Sequence, residues 1–233
     1  MGDYAGGENL EIMAEAVNYN GFLLSMVRAI AKPGDRILDI GAGIGTFAIA
    51  LTREGYRVHC LEPDQRQAAV VAHAGVPVSA ALGEIGDHSI DYVYALNVLE
   101  HIDDDRLALR QWRQKLKPQG RILIYVPAFQ ILYSSMDRKV GHFRRYRKRE
   151  LIDKVAQSGF QVINARYVDC LGFFASLWFR FFGGDSGRIN RRALVAYDRV
   201  VFPLSRRCDA LLGPFFGKNV VVVASASDEP SAN

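Results

Sequence analysis

Arg36-Ile-Leu-Asp-Ile-Gly-Ala-Gly-Ile-Gly-Thr-Phe-Ala-Ile-Ala-Leu51 is the stretch whose reading decides the fold. It begins with Ile37, Leu38 and Ile40, an apolar run broken only by Asp39, as suits a strand buried on both faces of a parallel sheet. Gly41, Gly43 and Gly45 follow at alternate positions, and Phe47, Ala48, Ala50 and Leu51 then recur at helical spacing. The reading is strand, glycine turn, helix. Without Cβ atoms such a turn can take positive φ and let a ligand approach the backbone. The free N–H groups that open the helix turn a partial positive charge toward that ligand.

The next strand sharpens the signal. Arg57-Val-His-Cys-Leu61 reads as a second strand, and Glu62 stands at its carboxyl end. An acid about 20 residues past the first glycine commonly hydrogen-bonds both ribose hydroxyls of a nucleoside, so an adenosine-containing cofactor is expected. A dinucleotide fingerprint would need its third glycine at position 46, where this chain has Thr46. It would also bring Asp39 unfavourably close to a pyrophosphate. Asp39-x-Gly41-x-Gly43-x-Gly45 instead resembles the first motif of class I S-adenosylmethionine (AdoMet)-dependent methyltransferases. In that family the acid lies near the cationic methionine end of the cofactor, and S-adenosylhomocysteine is the product.

The resemblance implies an α/β, Rossmann-like sheet of seven strands in the order 3-2-1-4-5-7-6, the last antiparallel, flanked by helices in three layers. The alternation of strand and helix itself implies parallel pairing with right-handed crossovers. At 233 residues the chain fits a single methyltransferase domain, with a helical cap at 1–35 and acceptor-side insertions at 127–147 and 169–217. With 49% apolar and 23% charged residues, disorder is not the default. Met1–Gly7 shows no signal-peptide pattern, and no apolar run reaches the roughly 18–20 residues of a membrane span. Cys60, Cys170 and Cys208 are odd in number and lack metal-ligand spacing, so no metal site and a reduced, cytoplasmic setting are expected.

From Glu8 to Ala31, Leu10, Ile12, Met13, Val17, Phe22, Leu23, Met26, Val27 and Ile30 fall near helical period. Asn18-Tyr-Asn-Gly21 interrupts them, predicting two helices or one kinked helix, stopped by Pro33-Gly34. By resemblance this segment lies over the cofactor, where Tyr19 and Asn20 either cap the methionine end or, for Tyr19, pack in the core. Pro63 to His73 reads as a helix and Pro77–Ala80 as a short strand. In Ala81–Ser89, Glu84-Ile85 replaces the family's usual Asp-Leu pair, so Glu84 either reads the adenine edge or is a solvated loop acid. Ile90–Leu96 is the fourth strand, and Asn97-Val-Leu-Glu-His-Ile102 resembles the Leu-Glu-His motif of small-molecule methyltransferases. There His101 is either catalytic or a brace for the loop. The cofactor set implied by the resemblance is Tyr19, Asp39, Gly41, Ala42, Gly43, Gly45, Glu62, Pro63, Leu82, Glu84 and Asn97.

Asp103–Asp105 supplies acids for the next helix, which is expected to reach about Lys117 with Leu107, Leu109, Trp112 and Leu116 inward. Pro118-Gln-Gly120 ends it, and Arg121–Val126 is the fifth strand. Lys148–Gln157 reads as a helix, and 159–167 and 218–225 as the last strands. The Gly-His-x-Arg-Arg-Tyr element, Gly141–Tyr146, resembles a subgroup of bacterial methyltransferases. His142, Tyr133, Asp137 and Tyr146 are the candidate acceptor-side residues. His142 is the candidate base, because its ordinary pKa lies closest to neutrality; its alternative is to tie the loop to the backbone. The basic run from Arg138 to Arg149 either is a solvated face or holds an anionic group of the acceptor. Nucleic acid is disfavoured, since no recognition motif accompanies the charges.

The leading expectation is therefore an AdoMet-dependent methyltransferase acting on a small-molecule or lipid-linked acceptor. The alternatives are an NAD-linked oxidoreductase and an AdoMet-binding or membrane-associated protein without turnover. Leu171–Phe182, crowded with aromatics, with Arg180 within it and Arg188, Arg191, Arg192, Arg206 and Arg207 nearby, is either a lid over the acceptor cleft or an entrance facing an anionic membrane.

Overall fold

The computed structural model describes residues 12–182 and 190–227; Leu10 and Arg188 lie outside the described residues. Strand β1 (Arg36–Ile40) is central, paired in parallel with β2 (Arg57–Leu61) on one side and β4 (Ile90–Leu96) on the other. Strand β3 (Val78–Ser79) forms one edge. Beyond β4 lie β5 (Leu116–Pro127), then β7 (Asn219–Ala226), then β6 (Phe160–Val168), giving the order β3-β2-β1-β4-β5-β7-β6. Strand β7 runs antiparallel to both its neighbours, as the family resemblance implies.

Alternation along each strand feeds two cores. On one face Leu38, Ile40, Val93, Ile122, Ile124 and Val222 pack against Leu109 and Trp112 of α4 (Asp105–Lys115) and Leu151 and Val155 of α6 (Lys148–Gln157). On the other, Ile37, Tyr92, Tyr94, Leu123 and Tyr125 meet Phe22, Leu23, Met26 and Val27 of α1 (Val17–Ile30). That layer also takes Ala48 and Leu51 of α2 (Thr46–Arg53) and Val71 of α3 (Gln65–His73). Both faces are therefore covered, which is why the strands read as nearly continuous apolar runs. Truncating a residue such as Leu38, which is fully buried, costs about 2–5 kcal/mol.

Three expectations change. The break in the N-terminal helix comes at 14–16, and Asn18–Gly21 lie within α1. The reason is a long-range cap: the Asp198 carboxylate accepts from the backbone N–H groups of Asn18 (3.0 Å) and Tyr19 (2.8 Å). Helix α4 ends at Lys115, and Leu116 already belongs to β5, pairing with Ile90. Leu107 is 44% exposed, because the helix turns Ala108, Leu109 and Trp112 inward instead.

The acceptor-side segments complete the chain. Between β5 and α6 lies the short helix α5 (Ser135–Val140), after which the chain returns through an Ala128–Tyr146 bridge. Between β6 and β7 lie α7 (Cys170–Phe182), α8 (Arg191–Ala196), a wider turn at Tyr197–Val201, and α9 (Phe202–Leu212). Asp209 of α9 accepts from the N–H groups of Asp169 and Cys170, both at 2.9 Å, and so fixes the start of α7.

Candidate active site

The glycine turn follows β1 at the carboxyl edge of the sheet. Gly41, Gly43 and Gly45 have φ of 68°, 57° and 80°, a region unfavourable to side chains. A Cβ on Gly41 would also run into Val98, so this glycine lets the turn lie against the loop after β4. Gly41 N donates to the Leu61 carbonyl (2.8 Å), tying the turn to the end of β2. The buried Glu62 carboxylate then accepts from Gly43 N at 2.7 Å and from Asp64 N at 2.9 Å. Each of its oxygens keeps a further lone pair for a donor from outside. Ala42 is buried within the turn, and Pro63 leads from Glu62 to Asp64, whose side chain caps α3 by accepting from Arg66 N and Gln67 N.

Asp39 is buried just beneath this turn, and its Oδ2 has no hydrogen-bond partner among the described residues. Burial pushes its carboxyl up to about 8, with the Tyr94 hydroxyl partly opposing the shift. An unpaired carboxylate in such a place favours a cation beside it. Tyr19 reaches the same edge from α1, packing edge-on to Tyr125 and Phe202 at centroid distances of 6.3 and 5.5 Å. Burial raises its hydroxyl to about 12, and its hydrogen-bonding neighbours are Tyr125 and Asn97. Asn97, with φ of 56°, ends β4 and donates its N–H to the Tyr125 carbonyl (2.7 Å). Leu82 and Glu84 stand on a short turn after β3; Leu82 packs on the core, while exposed Glu84 accepts from Ala81 N at 3.1 Å.

The second half of the site is built around Asp137. Its carboxylate accepts from Ser134 N (2.8 Å) and from Arg145 Nε (2.8 Å) and Nη2 (2.9 Å), and it lies 2.8 Å from His142 Nδ1. Burial works against the charge, but His142 and Arg145 hold the carboxyl well below the usual range. The Tyr133 hydroxyl donates to the His142 carbonyl at 2.7 Å, and Asp137 O accepts from His142 N. His142 is thus held at three points, its backbone N–H and carbonyl and its ring Nδ1, and its Nε2 comes to within 3.8 Å of Glu100. Tyr146 is taken up by the core, its hydroxyl donating to Asp105 Oδ2 (2.9 Å). Much of the basic run is spent locally: Arg144 pairs with Asp103 and Asp105, Arg145 with Asp137, and Lys148 donates to the Pro214 carbonyl.

The structure therefore brings Tyr19, Asp39, the glycine turn, Glu62 and Asn97 to one edge, and gathers Tyr133, Asp137 and His142 beside the loop after β4. Sequence reading passed over Glu100. It stands inside the Leu-Glu-His stretch and is fully buried, and burial raises its carboxyl to about 8. It also passed over Asp198, which positions Tyr19, and Lys218, whose buried amino group is pushed down by desolvation.

A sheet of this order with a glycine turn after β1 and an acid after β2 defines the AdoMet-dependent methyltransferase class of fold. The chain belongs to the methyltransferase-domain family, whose family model matches residues 11–165. It is 30% identical over 111 residues to a demethylmenaquinone methyltransferase of Corynebacterium efficiens, covering 44% of this chain and 48% of the relative. It is 32% identical over 104 residues to a phosphoethanolamine N-methyltransferase 2 of Caenorhabditis elegans, covering 40% of this chain and 24% of that one. The chain thus spans about half or less of the curated relatives it matches. Among solved structures, a SAM-dependent methyltransferase of Thermotoga maritima superposes with a TM-score of 0.62 at 20% identity, covering 94% of each chain.

Proposed function

We propose that this chain transfers a methyl group from AdoMet to a small or lipid-linked acceptor, releasing S-adenosylhomocysteine. The observation that carries the reading is Asp39, a buried carboxylate oxygen without a partner directly under the glycine turn. It suits the ammonium of a methionine moiety, which favours its ionised form, whereas the pyrophosphate of a dinucleotide offers that form no counter-charge, which weighs against the NAD reading. Glu62 takes the ribose hydroxyls on its remaining lone pairs, with the Gly41–Gly45 backbone, Ala42 and Pro63 alongside. Leu82 and Glu84 flank the adenine, while Tyr19 and Asn97 close over the methionine end. When bound, AdoMet supplies a methyl group on a sulfonium, already a strong electrophile.

The protein's part is then alignment and proton handling. The acceptor's lone pair forms the new bond to carbon as the carbon–sulfur bond breaks, its electron pair staying on sulfur. An acceptor that must lose a proton gives it to His142 Nε2, which Asp137 orients and Tyr133 steadies through the His142 carbonyl. Tyr146 serves from behind, through Asp105 and the Leu99 carbonyl.

The lipid-linked form of the acceptor rests on α7. Its Phe173 packs inward against Phe129 and Phe216, whereas Phe174, Trp178 and Phe181 are 54%, 67% and 64% exposed along one face. Arg180 lies beside them, donating to the Gln130 and Ile131 carbonyls at the acceptor segment. That apolar, basic-flanked face suits peripheral contact with an anionic membrane. No helix of the described residues is long and apolar enough to cross one.

The test is label transfer from methyl-labelled AdoMet to phenols, amines and carboxylates offered with and without a lipid tail. Methylation of one class, lowered in Glu62→Gln at sub-saturating AdoMet and reduced in His142→Ala, is the expected result. Cofactor binding with no transfer to any acceptor would favour an AdoMet-binding protein without turnover.

A further inference from the structure

Glu100, His101 and His142 form a cluster that neither cofactor binding nor loop packing explains. One ligand atom from each lies within 4.8 Å of the others. Glu100 is fully buried, and neither carboxylate oxygen has a hydrogen-bond partner beyond its own backbone N–H. The nearby Arg145 guanidinium offsets the burial of Glu100 only in part: its Nε and Nη2 are held in a two-point pair by Asp137, and none of its nitrogens hydrogen-bonds Glu100. A carboxyl group fully removed from water and left without donors is costly unless something positive meets it.

The surroundings of the two imidazoles match those of metal ligands. His142 Nδ1 is bonded to the buried Asp137 carboxylate, which leaves Nε2 as its free ring nitrogen, 3.8 Å from Glu100 Oε1. His101 stands edge-on to His142 at a centroid distance of 4.5 Å and is hydrogen-bonded to the Val140 carbonyl. Carboxylate and carbonyl partners of this kind fix the tautomer and orientation of ligating histidines. The two halves of the cluster are also pinned together by main chain, since Phe143 N donates to the Glu100 carbonyl at 2.8 Å.

We propose that Glu100, His101 and His142 bind a divalent first-row transition-metal ion of the zinc type. Two nitrogens and one carboxylate oxygen suit such an ion, whereas magnesium and calcium prefer all-oxygen sites. Bond lengths of about 2.0–2.2 Å put tetrahedral ligand atoms roughly 3.4 Å apart, so the cluster needs to contract by an ångström or so at its widest. Three protein ligands leave a position for water or an acceptor oxygen. A bound ion takes the His142 Nε2 lone pair, so the loaded form handles the acceptor's proton through that oxygen ligand, and the free form through the imidazole. The site itself stands whether or not the methyltransferase reading does.

The experiment uses tag-free full chain, dialysed against chelator and titrated with Zn2+ by calorimetry and with Co2+ by visible absorption. One equivalent of each is expected to bind, with cobalt bands of a four- or five-coordinate site. Glu100→Gln, which keeps the shape of the buried side chain, and His101→Asn should each weaken binding by more than about a hundredfold. Asp137→Asn, which touches only the outer shell, should weaken it by about 10–100-fold. Absence of stoichiometric binding, or binding unchanged in both Glu100→Gln and His101→Asn with their circular dichroism intact, overturns the proposal. AdoMet calorimetry on the same samples reads the methyltransferase proposal separately, because no cofactor residue is altered.

Discussion

Asp39 offers a quantitative test of the cofactor site. In the free chain burial holds its carboxyl at about 8, so at pH 7 roughly nine molecules in ten carry a protonated Asp39. The ammonium of AdoMet favours the ionised form, so binding must first remove that proton. The penalty is RT ln(1 + 10^(8 − pH)), which is about 1.4 kcal/mol at pH 7 and about 3.4 kcal/mol at pH 5.5. AdoMet affinity should therefore rise about thirtyfold between pH 5.5 and pH 7. An α-amino group stays protonated over that window, so the ligand does not supply the slope. Calorimetry in buffers of different ionisation enthalpy should show about 0.9 proton released per AdoMet at pH 7. Asp39→Asn should bind more weakly at pH 7 and lose both the slope and the proton release. A flat wild-type profile, or a slope that survives in Asp39→Asn, would refute the assignment of Asp39 to the ammonium.

The same groups govern stability. Asp39 and Glu100 are both raised in the fold, so their contribution is present at low pH and is lost as pH rises toward about 8. His101, lowered to about 4, works the other way only below about 6.5, so the melting temperature should fall from pH 6.5 to 8, and less so in Asp39→Asn. Asp198→Ala removes the cap of α1 and should cost about 1–2 kcal/mol in denaturant unfolding while also weakening AdoMet binding through Tyr19. Gly172→Ala places a Cβ against the Asp169 carboxylate and the Tyr197 hydroxyl inside α7, and should destabilise by about 1–3 kcal/mol despite alanine's better helix propensity. In sedimentation with vesicles, salt-sensitive binding to anionic but not neutral lipid, reduced by Trp178→Ala or Arg191→Ala, is expected; binding to neither would remove the membrane contact.

The cofactor half was readable because its signals are local. Asp39, the alternate glycines and Glu62 lie on two consecutive strand ends, where sheet geometry dictates that they meet. The strand order beyond β4 came from family resemblance, since nothing in Phe160–Val168 itself says that β7 will insert beside it. What escaped reading depends on contacts between distant segments. Asp198 caps α1 from near the other end of the chain, and that contact moved the helix start away from the apparent break at Asn18–Gly21. Glu100 carries no periodicity or spacing signal, and its partners become visible only when Gly141–Tyr146 folds back on the loop after β4. Leu107 misled for a simpler reason: at the start of α4 the apolar pattern admits two phases, and burial of Ala108 selects the other.

The most direct test of the central claim is calorimetric titration of the chain with AdoMet and, separately, with NAD, repeated on Glu62→Gln. One AdoMet site, no NAD binding, and an affinity for AdoMet lowered by roughly tenfold to a hundredfold in the variant, whose fold is retained, are expected. Binding of NAD, or AdoMet binding left unchanged by Glu62→Gln, would contradict that claim.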